Sequence, residues 1–501
     1  MTRANSWLAL ITTGLAIAVA LGLARVQTTR ASAPAQAAEG QAIYTERCEI
    51  CHGAEGDGNG PAAANLDPKP RDFRRGWYKI RTTTSGQLPT DEDLIQVIAN
   101  GMPGTSMPAW KGVLTDEEIG EVAIFIKGFA SRFERETPAQ IAVGPSVASS
   151  PESIARGAEI FAGQQAECGK CHGAAGRGDG PSADELTDDF GNVIVPADLS
   201  MAWLFRGGPA AGDIYTRLES GLTGSPMPSY ADVLTDQQLW DLANHVDSLS
   251  PDVPPELQAS MTASPIQGAI SGAADASEWQ AATEYYYPLV GQIMREPRHY
   301  TPSVKGIWVR ALYNESELAL LVRWHDRFQD AGAEGRPADA LAVQFPAELP
   351  DGDERPYFVF GDSSHPVDLW YWSAAVSAVE ERSGTGVEAV KSQATQNAQG
   401  AASFVDGEYT LLVRRALSTG DTEDLQLESG KFIPIAFMAW DGWRGEKEAS
   451  GAISSWQMIY LERPVAVTNY FWIPVAMIAT GLLEWLILWA ANRHSTRPTQ
   501  P

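Results

Sequence analysis

Cys48-Glu49-Ile50-Cys51-His52 and Cys168-Gly169-Lys170-Cys171-His172 hold all four cysteines of the 501-residue chain. C-x-x-C-H is the attachment signature of a c-type haem. Each thiol adds across one vinyl group, the spacer matches the vinyl separation, and the adjacent histidine lies under the iron. Other uses of paired cysteines fit less well. A thioredoxin-type pair sits in a βαβ context without the histidine. A structural zinc site gathers four ligands in one cluster, and a disulfide makes no use of a histidine.

The two motifs belong to an internal repeat. Cys48, Cys51, His52, Pro61, Asp93, Gly101, Met107, Pro108, Leu114, Thr115 and Asp116 recur 120 residues later. The counterparts are Cys168, Cys171, His172, Pro181, Asp213, Gly221, Met227, Pro228, Leu234, Thr235 and Asp236. A methionine thioether opposite a histidine is a soft ligand that stabilises ferrous iron and raises its potential. A methionine can also merely fill a core gap. Recurrence ahead of proline in a Gly/Ser/Pro-rich loop favours Met107 and Met227 as ligands. Met102 also precedes proline, but its repeat partner is Leu222.

Helices are expected around these loops. Thr115-Asp-Glu-Glu118 and Thr235-Asp-Gln-Gln238 read as capping boxes, followed by Ile119, Val122, Ala123, Ile126 and by Leu239, Leu242, Ala243, Val246 at helical spacing. Ile43-Tyr44 and Ile160-Phe161 place a helix before each attachment motif. The glycines at 53–60 and 173–180 are expected to let backbone pass close to the porphyrin.

With this repeat, residues 39–133 and 153–249 resemble two class I cytochrome c domains. The resemblance implies covalent haem c at Cys48, Cys51, Cys168 and Cys171, proximal ligation by His52 and His172, and distal ligation by Met107 and Met227.

Composition narrows the rest. A net charge of −26 argues against nucleic acid as a partner, and 44% hydrophobic residues argue against general disorder. Trp7 to Leu23 lacks charged residues and follows Arg3, so residues 1–38 read as a signal peptide or, slightly favoured, an uncleaved signal anchor. Phe471 to Ala491 is long and apolar enough to cross about 30 Å of hydrocarbon. A transmembrane helix is therefore expected over 470–491, with tryptophans toward its ends and an unusual Glu484 inside. Arg493 and Arg497 in the tail, 492–501, place the C-terminus in the cytoplasm and the bulk of the chain on the periplasmic side of a bacterial inner membrane.

Residues 134–152 and 250–277, rich in Pro, Ala and Ser, read as linkers. Between the second linker and the membrane, residues 278–465 show short alternating segments: 307–313, 318–324, 409–417, 433–440 and 453–461. These read as strands of an all-β sandwich. The segment resembles the haem-binding γ subunit of ethylbenzene dehydrogenase and its relatives, which serve molybdenum enzymes of the dimethyl sulfoxide reductase family. Carrying the resemblance are Arg310-Ala-Leu-Tyr-Asn314, Val322-Arg-Trp-His-Asp326, Gly361-Asp362, Pro366-Val-Asp-Leu-Trp370-Tyr-Trp372, Ala439-Trp-Asp-Gly442 and Ser454-Ser-Trp456. Members of that family hold a non-covalent b haem between a methionine and a lysine. Here Tyr357-Phe-Val-Phe360 replaces the methionine stretch, and Ala452 and Lys447 leave the lysine unmatched. A b haem in this segment would need His365 or Met438 as a substitute ligand. Otherwise the sandwich serves as a docking platform.

The expected protein is multidomain: two all-α cytochrome c domains, one all-β sandwich, an N-terminal signal or anchor helix and a C-terminal transmembrane helix. Its expected role is a membrane-tethered dihaem electron-transfer subunit. It would relay electrons between the catalytic and iron–sulfur subunits of a molybdoenzyme and a basic soluble cytochrome or terminal oxidase. A stand-alone carrier to an oxidase and a haem enzyme such as a dihaem peroxidase are the alternatives. A peroxidase needs an open iron position, whereas each repeat carries its own methionine.

Overall fold

The computed structural model describes residues 33–251, 253–333, 335–350, 352, 354–462 and 467–495. The signal or anchor segment at 7–23 lies outside them, as does the tail beyond 495. The first repeat folds as α1 (Ala33–Arg47), α2 (Glu49–His52), α3 (Asp91–Asn100) and α4 (Asp116–Lys127). The second folds as α5 (Pro151–Ala162), α6 (Gly169–His172), α7 (Ala211–Ser220) and α8 (Asp236–Asp247). Both expected capping boxes form, Thr115 with Glu118 and Thr235 with Gln238. Ile119, Val122, Ala123 and Ile126 of α4, and Leu239, Leu242, Ala243 and Val246 of α8, are buried.

In each repeat the first and last helices cross at a glycine. A Cβ on Gly40 would lie 2.1 Å from the Glu121 carbonyl oxygen, and one on Gly157 2.0 Å from that of Asp241. Backbones this close leave no room for any side chain. The crossings fix where α2 and α6, and with them the cysteine motifs, leave the bundle.

The remainder is a 14-stranded mixed sheet. Its strands are β1 (Ser260–Pro265), β2 (Tyr285–Pro288), β3 (Val290–Gly291), β4 (Gly306–Tyr313), β5 (Glu317–His325), β6 (Ala340–Pro346), β7 (Val367–Ser373), β8 (Ala378–Gly384), β9 (Val390–Ser392), β10 (Gln399–Val405), β11 (Glu408–Ala416), β12 (Phe432–Trp440), β13 (Ala452–Ile453) and β14 (Gln457–Leu461). A short helix, α9 (Ser277–Ala281), precedes β2. The main path runs β10-β11-β5-β4-β1-β14-β12-β6-β7-β8-β9. Strands far apart on this path meet face to face. Trp324 of β5 and Trp372 of β7 have ring centroids 5.8 Å apart, and Trp372 lies 5.2 Å from Tyr409 of β11. One hydrophobic core is shared by β4, β5 and β11 on one side and β6, β7 and β12 on the other.

Two features depart from the sequence reading. Residues 250–277 are not linker throughout, because β1 runs at the centre of the sheet, parallel to both β14 and β4. Its sequence, Ser-Met-Thr-Ala-Ser-Pro, carries only Met261 and Ala263 as buried apolar residues. Pairing on both edges makes it a strand, and composition gives no sign of that. The expected strand 453–461 is broken into β13 and β14.

The C-terminal α10 (Val467–Ser495) contains Trp472–Asn492, 21 residues with mean hydropathy 1.8 and none of that stretch buried. Its length and uncovered apolar surface are those of a membrane-crossing helix.

Candidate functional site

Each repeat brings its cysteines, histidine and methionine to one cavity. The first, about 440 Å³, is lined by Cys48, Cys51, His52 and Met107. The second, about 380 Å³, is lined by Cys168, Cys171, His172 and Met227. All eight sequence-selected residues are therefore placed in two matching sets.

The proximal sides are built alike. His52 Nδ1 lies 3.1 Å from the Arg71 carbonyl oxygen, and His172 Nδ1 lies 3.1 Å from that of Ala197. A carbonyl can only accept, so each Nδ1 carries the proton and Nε2 keeps its lone pair for a metal. Burial lowers both imidazole pKa values, holding the rings neutral as ligation requires. Phe73 stacks on His52 at 4.5 Å. Burial also pushes the Cys48 and Cys168 thiols up to about 11, and raises Cys51 and Cys171. Gly60 and Gly180 are needed for a close approach within the protein itself. A Cβ on Gly60 would lie 2.4 Å from the Ile50 oxygen, and one on Gly180 2.3 Å from the Lys170 oxygen. These glycines let the loop close against the attachment helix itself.

The distal loops are pinned alike too. Met102 N–H donates to the Met107 oxygen and Leu222 N–H to the Met227 oxygen, each at 3.1 Å. Trp110 N–H bonds Ile98 O, and Tyr230 N–H bonds Leu218 O, tying each methionine loop to the end of α3 or α7. This donor set, two thiols, a neutral imidazole and a thioether around one cleft, fits a covalent c haem.

The cavities adjoin. Pro68, Lys79, Ile80 and Arg206 line both. Two arginines, Arg81 buried and Arg217 half-buried, clamp the repeats together: Arg81 donates to Ser220 O and Arg217 donates to Arg81 O, both at 2.7 Å. Sequence reasoning did not single out Lys79 or Arg206. The repeat could not flag them, since their partners at 120 residues' distance are Leu199 and Gly86. The imidazole-holding carbonyls also break register, lying 19 and 25 residues after their histidines.

The sheet domain packs on the second repeat through an ionic cluster. His325 Nδ1 lies 2.6 Å from Asp198 and its Nε2 lies 3.3 Å from Glu408. Arg177 bonds Asp406 O at 2.9 Å and pairs with Glu408, which also pairs with Arg323. Burial alone would lower the His325 pKa, but its bonds to Asp198 and Glu408 outweigh that and raise it. Burial opposes ionisation of Asp198 and Glu408 as well, yet bonding to His325 lowers both. The protonated imidazole thus stabilises the contact fully below its ordinary value of about 6.5, and that contribution is lost as pH rises through the raised value. The carboxylates' contribution is lost as pH falls through their lowered range. Protease sensitivity at this interface should rise on the alkaline side, and His325→Gln should abolish the alkaline step. A profile unchanged by that substitution would contradict the assignment.

His365 and Met438, the candidate substitutes for a b-haem ligand, sit in different surroundings. His365 is exposed at a turn beside Asp362 and Glu354, while Met438 is buried among Phe360, Leu369 and Trp440.

The fold and the two cavities define a c-type cytochrome with two cytochrome domains. Comparison with known proteins agrees. Residues 35–126 match subunit III of the cbb3-type cytochrome c oxidases, residues 154–250 match cytochrome c, and residues 276–394 match ethylbenzene dehydrogenase. Two cytochrome c domains are thus followed by a domain similar to that of the ethylbenzene dehydrogenase γ subunit. A provisionally named respiratory nitrate reductase heme subunit, ORF7, of Haloferax mediterranei is 23% identical over 36% of this chain and 64% of that protein. The cbb3-type cytochrome c oxidase subunit FixP of Azorhizobium caulinodans is 26% identical over 42% of this chain and 59% of that protein. The chain thus spans less than two thirds of either relative. A chain of the Kuenenia stuttgartiensis reducing HAO-like protein complex Kustc0457/Kustc0458 is 43% identical, covering 42% of this chain and 96% of that one, with a TM-score of 0.41. The cytochrome c domains imply covalently bound haem c.

Proposed function

We propose that this protein is a membrane-tethered dihaem cytochrome c that passes electrons within an oxidoreductase complex. The observation that carries the proposal is the pair of adjoining cavities, each lined by two cysteines, a histidine and a methionine. In this reading Cys48 and Cys51 hold one haem and Cys168 and Cys171 the other. His52 and His172 are the proximal ligands, and Met107 and Met227 the distal ligands. Each haem, when bound, supplies a one-electron ferric/ferrous couple.

The chain supplies the rest. The carbonyls of Arg71 and Ala197 fix the imidazole tautomers, and the pinned methionine loops present a soft sulfur that favours the ferrous state. Filling both axial positions from the protein leaves no site for substrate, which supports electron transfer over peroxidase chemistry. The shared wall of Pro68, Lys79, Ile80 and Arg206 supports transfer between the two centres inside one chain.

The domain division follows: cytochrome domains near 39–133 and 153–249, a sandwich extending the sheet segment 278–465 back to β1, and a membrane helix at 470–491. The bulk lies on the periplasmic side and the C-terminus in the cytoplasm. The sheet domain docks on the catalytic and iron–sulfur subunits of a molybdenum enzyme, a role supported by its likeness to ethylbenzene dehydrogenase and by the chain's likeness to the nitrate reductase heme subunit. Similarity of the first cytochrome domain to cbb3 oxidase subunits supports a terminal oxidase or its basic cytochrome as the other partner.

Gentle detergent extraction tests this reading. Co-purification with a molybdopterin subunit is expected, and repeated recovery of the protein alone would contradict it. With a net charge of −26, electron exchange with a basic cytochrome should slow as salt is added; a rate insensitive to ionic strength would remove that use of the charge.

A further inference from the structure

The second cavity is not made by the cytochrome repeat alone. Lys305 and Arg327 of the sheet domain line it, together with Lys79 and Arg206. Arg71 lines the first cavity beside the shared wall. In so acidic a chain such cations would ordinarily find carboxylates. Among the described residues, however, Arg71, Lys79, Arg206, Lys305 and Arg327 form no ion pair; the pairs present engage other cations. Arg327 Nε is buried without a hydrogen-bond partner, and its Nη2 reaches only the Pro196 oxygen, at 3.4 Å.

Carboxylates pull on these cations without closing an ion pair: Asp188 acts on Arg71 and Lys79, and Glu446 on Lys305. Asp198 is engaged by His325 at 2.6 Å. Asp326 is buried against Asp339 and Asp441, and burial carries its pKa well above the carboxylate range. Burial likewise lowers Lys79 and Lys305 to about 8, with neighbouring arginines adding to the effect. Half-buried cations without a counter-ion are costly. A cavity that concentrates several of them fits an anionic ligand edge.

A haem offers that edge in its two propionate carboxylates. We propose that the sheet domain completes the second haem site, with Lys305 and Arg327 joining Arg206 to hold the propionates of the haem attached at Cys168 and Cys171. This rests on the dihaem reading above. Charge-assisted bonds from these cations would draw the propionates into ionised form and stabilise the electron-rich ferrous haem. The sheet domain therefore sets the potential of one centre and leaves the other alone.

The test is a spectroelectrochemical titration of the full detergent-solubilised protein carrying Lys305→Gln or Arg327→Gln. One of the two midpoints should fall, by a several-fold to about tenfold change in the reduction equilibrium constant, where tenfold is 59 mV for one electron. The other midpoint should stay fixed, and Lys305→Arg should restore the first. Lys391→Gln, at a well-exposed site on the same domain, removes equal charge and should move neither. Two haems per chain with both midpoints unmoved, or shifted alike, overturn this inference and leave the dihaem reading intact. A chain that carries no haem at Cys168 and Cys171 overturns both. The two substitutions are independent, so failure of one variant to fold leaves the other decisive.

Discussion

Replacing Met227 by alanine is expected to create a carbon monoxide site on a protein that otherwise has none. In the proposed reading both axial positions of the second centre are filled from the chain's own residues, His172 on α6 and Met227 on the loop tied to α7. Loss of the thioether opens the distal position without disturbing the proximal bond to Ala197 O, so the haem stays attached through Cys168 and Cys171. The midpoint of that centre should fall by on the order of 0.2 V, within the ~0.8 V that axial-ligand choice commands, because the soft sulfur no longer favours ferrous iron. Met107→Ala should do the same at the first centre. Met102 lines the same cavity, but its repeat counterpart is Leu222, so Met102→Ala should do neither. Carbon monoxide binding by the unaltered ferrous protein would contradict the ligand assignment.

The second large effect lies in the sheet domain and concerns stability. Arg415 of β11 is fully buried, pairing with Asp368 at 2.5 Å, Glu381 at 3.4 Å and Asp424 at 3.6 Å. It also donates to Leu425 O. Three buried carboxylates around one guanidinium depend on it. Burial still holds the Asp368 pKa up at about 6, against the pull of Arg415. Arg415→Met keeps most of the side-chain volume and removes the charge, stranding the acids at a cost of roughly 3–5 kcal/mol. Tryptophan fluorescence should report it, since Trp324, Trp370 and Trp372 sit in the adjoining core. The sheet's urea midpoint should drop sharply while the haem absorption of the cytochrome domains persists. A loss below about 1 kcal/mol would mean that the acids find other partners or simply protonate.

Much of the cytochrome half was legible in the residues. Two C-x-x-C-H motifs, two methionines in register and two capping boxes are local signals, and each recurs, so one copy checks the other. The cations between the cavities were not legible. Lys79, Arg206, Lys305 and Arg327 come from different segments, and tertiary packing alone brings them together. The sheet shows the same divide. Strands β4, β5, β11 and β12 alternate or run apolar and were read correctly. By contrast, β1, β8 and β10 are mostly small or polar, with only one or two larger apolar residues each (Met261; Val379; Phe404 and Val405), and owe their state to their neighbours. The linker reading of 250–277 failed at β1 for that reason, since a strand paired on both sides needs few apolar residues of its own.

Whether one chain holds two adjoining c-type centres is answered by counting its haems. The purified protein should carry two haems per chain, both resistant to acid-acetone extraction and both giving a c-type pyridine haemochrome, with Cys168→Ser plus Cys171→Ser reducing the count to one. A single covalent haem in the unaltered protein, or two that survive the loss of Cys168 and Cys171, would contradict it.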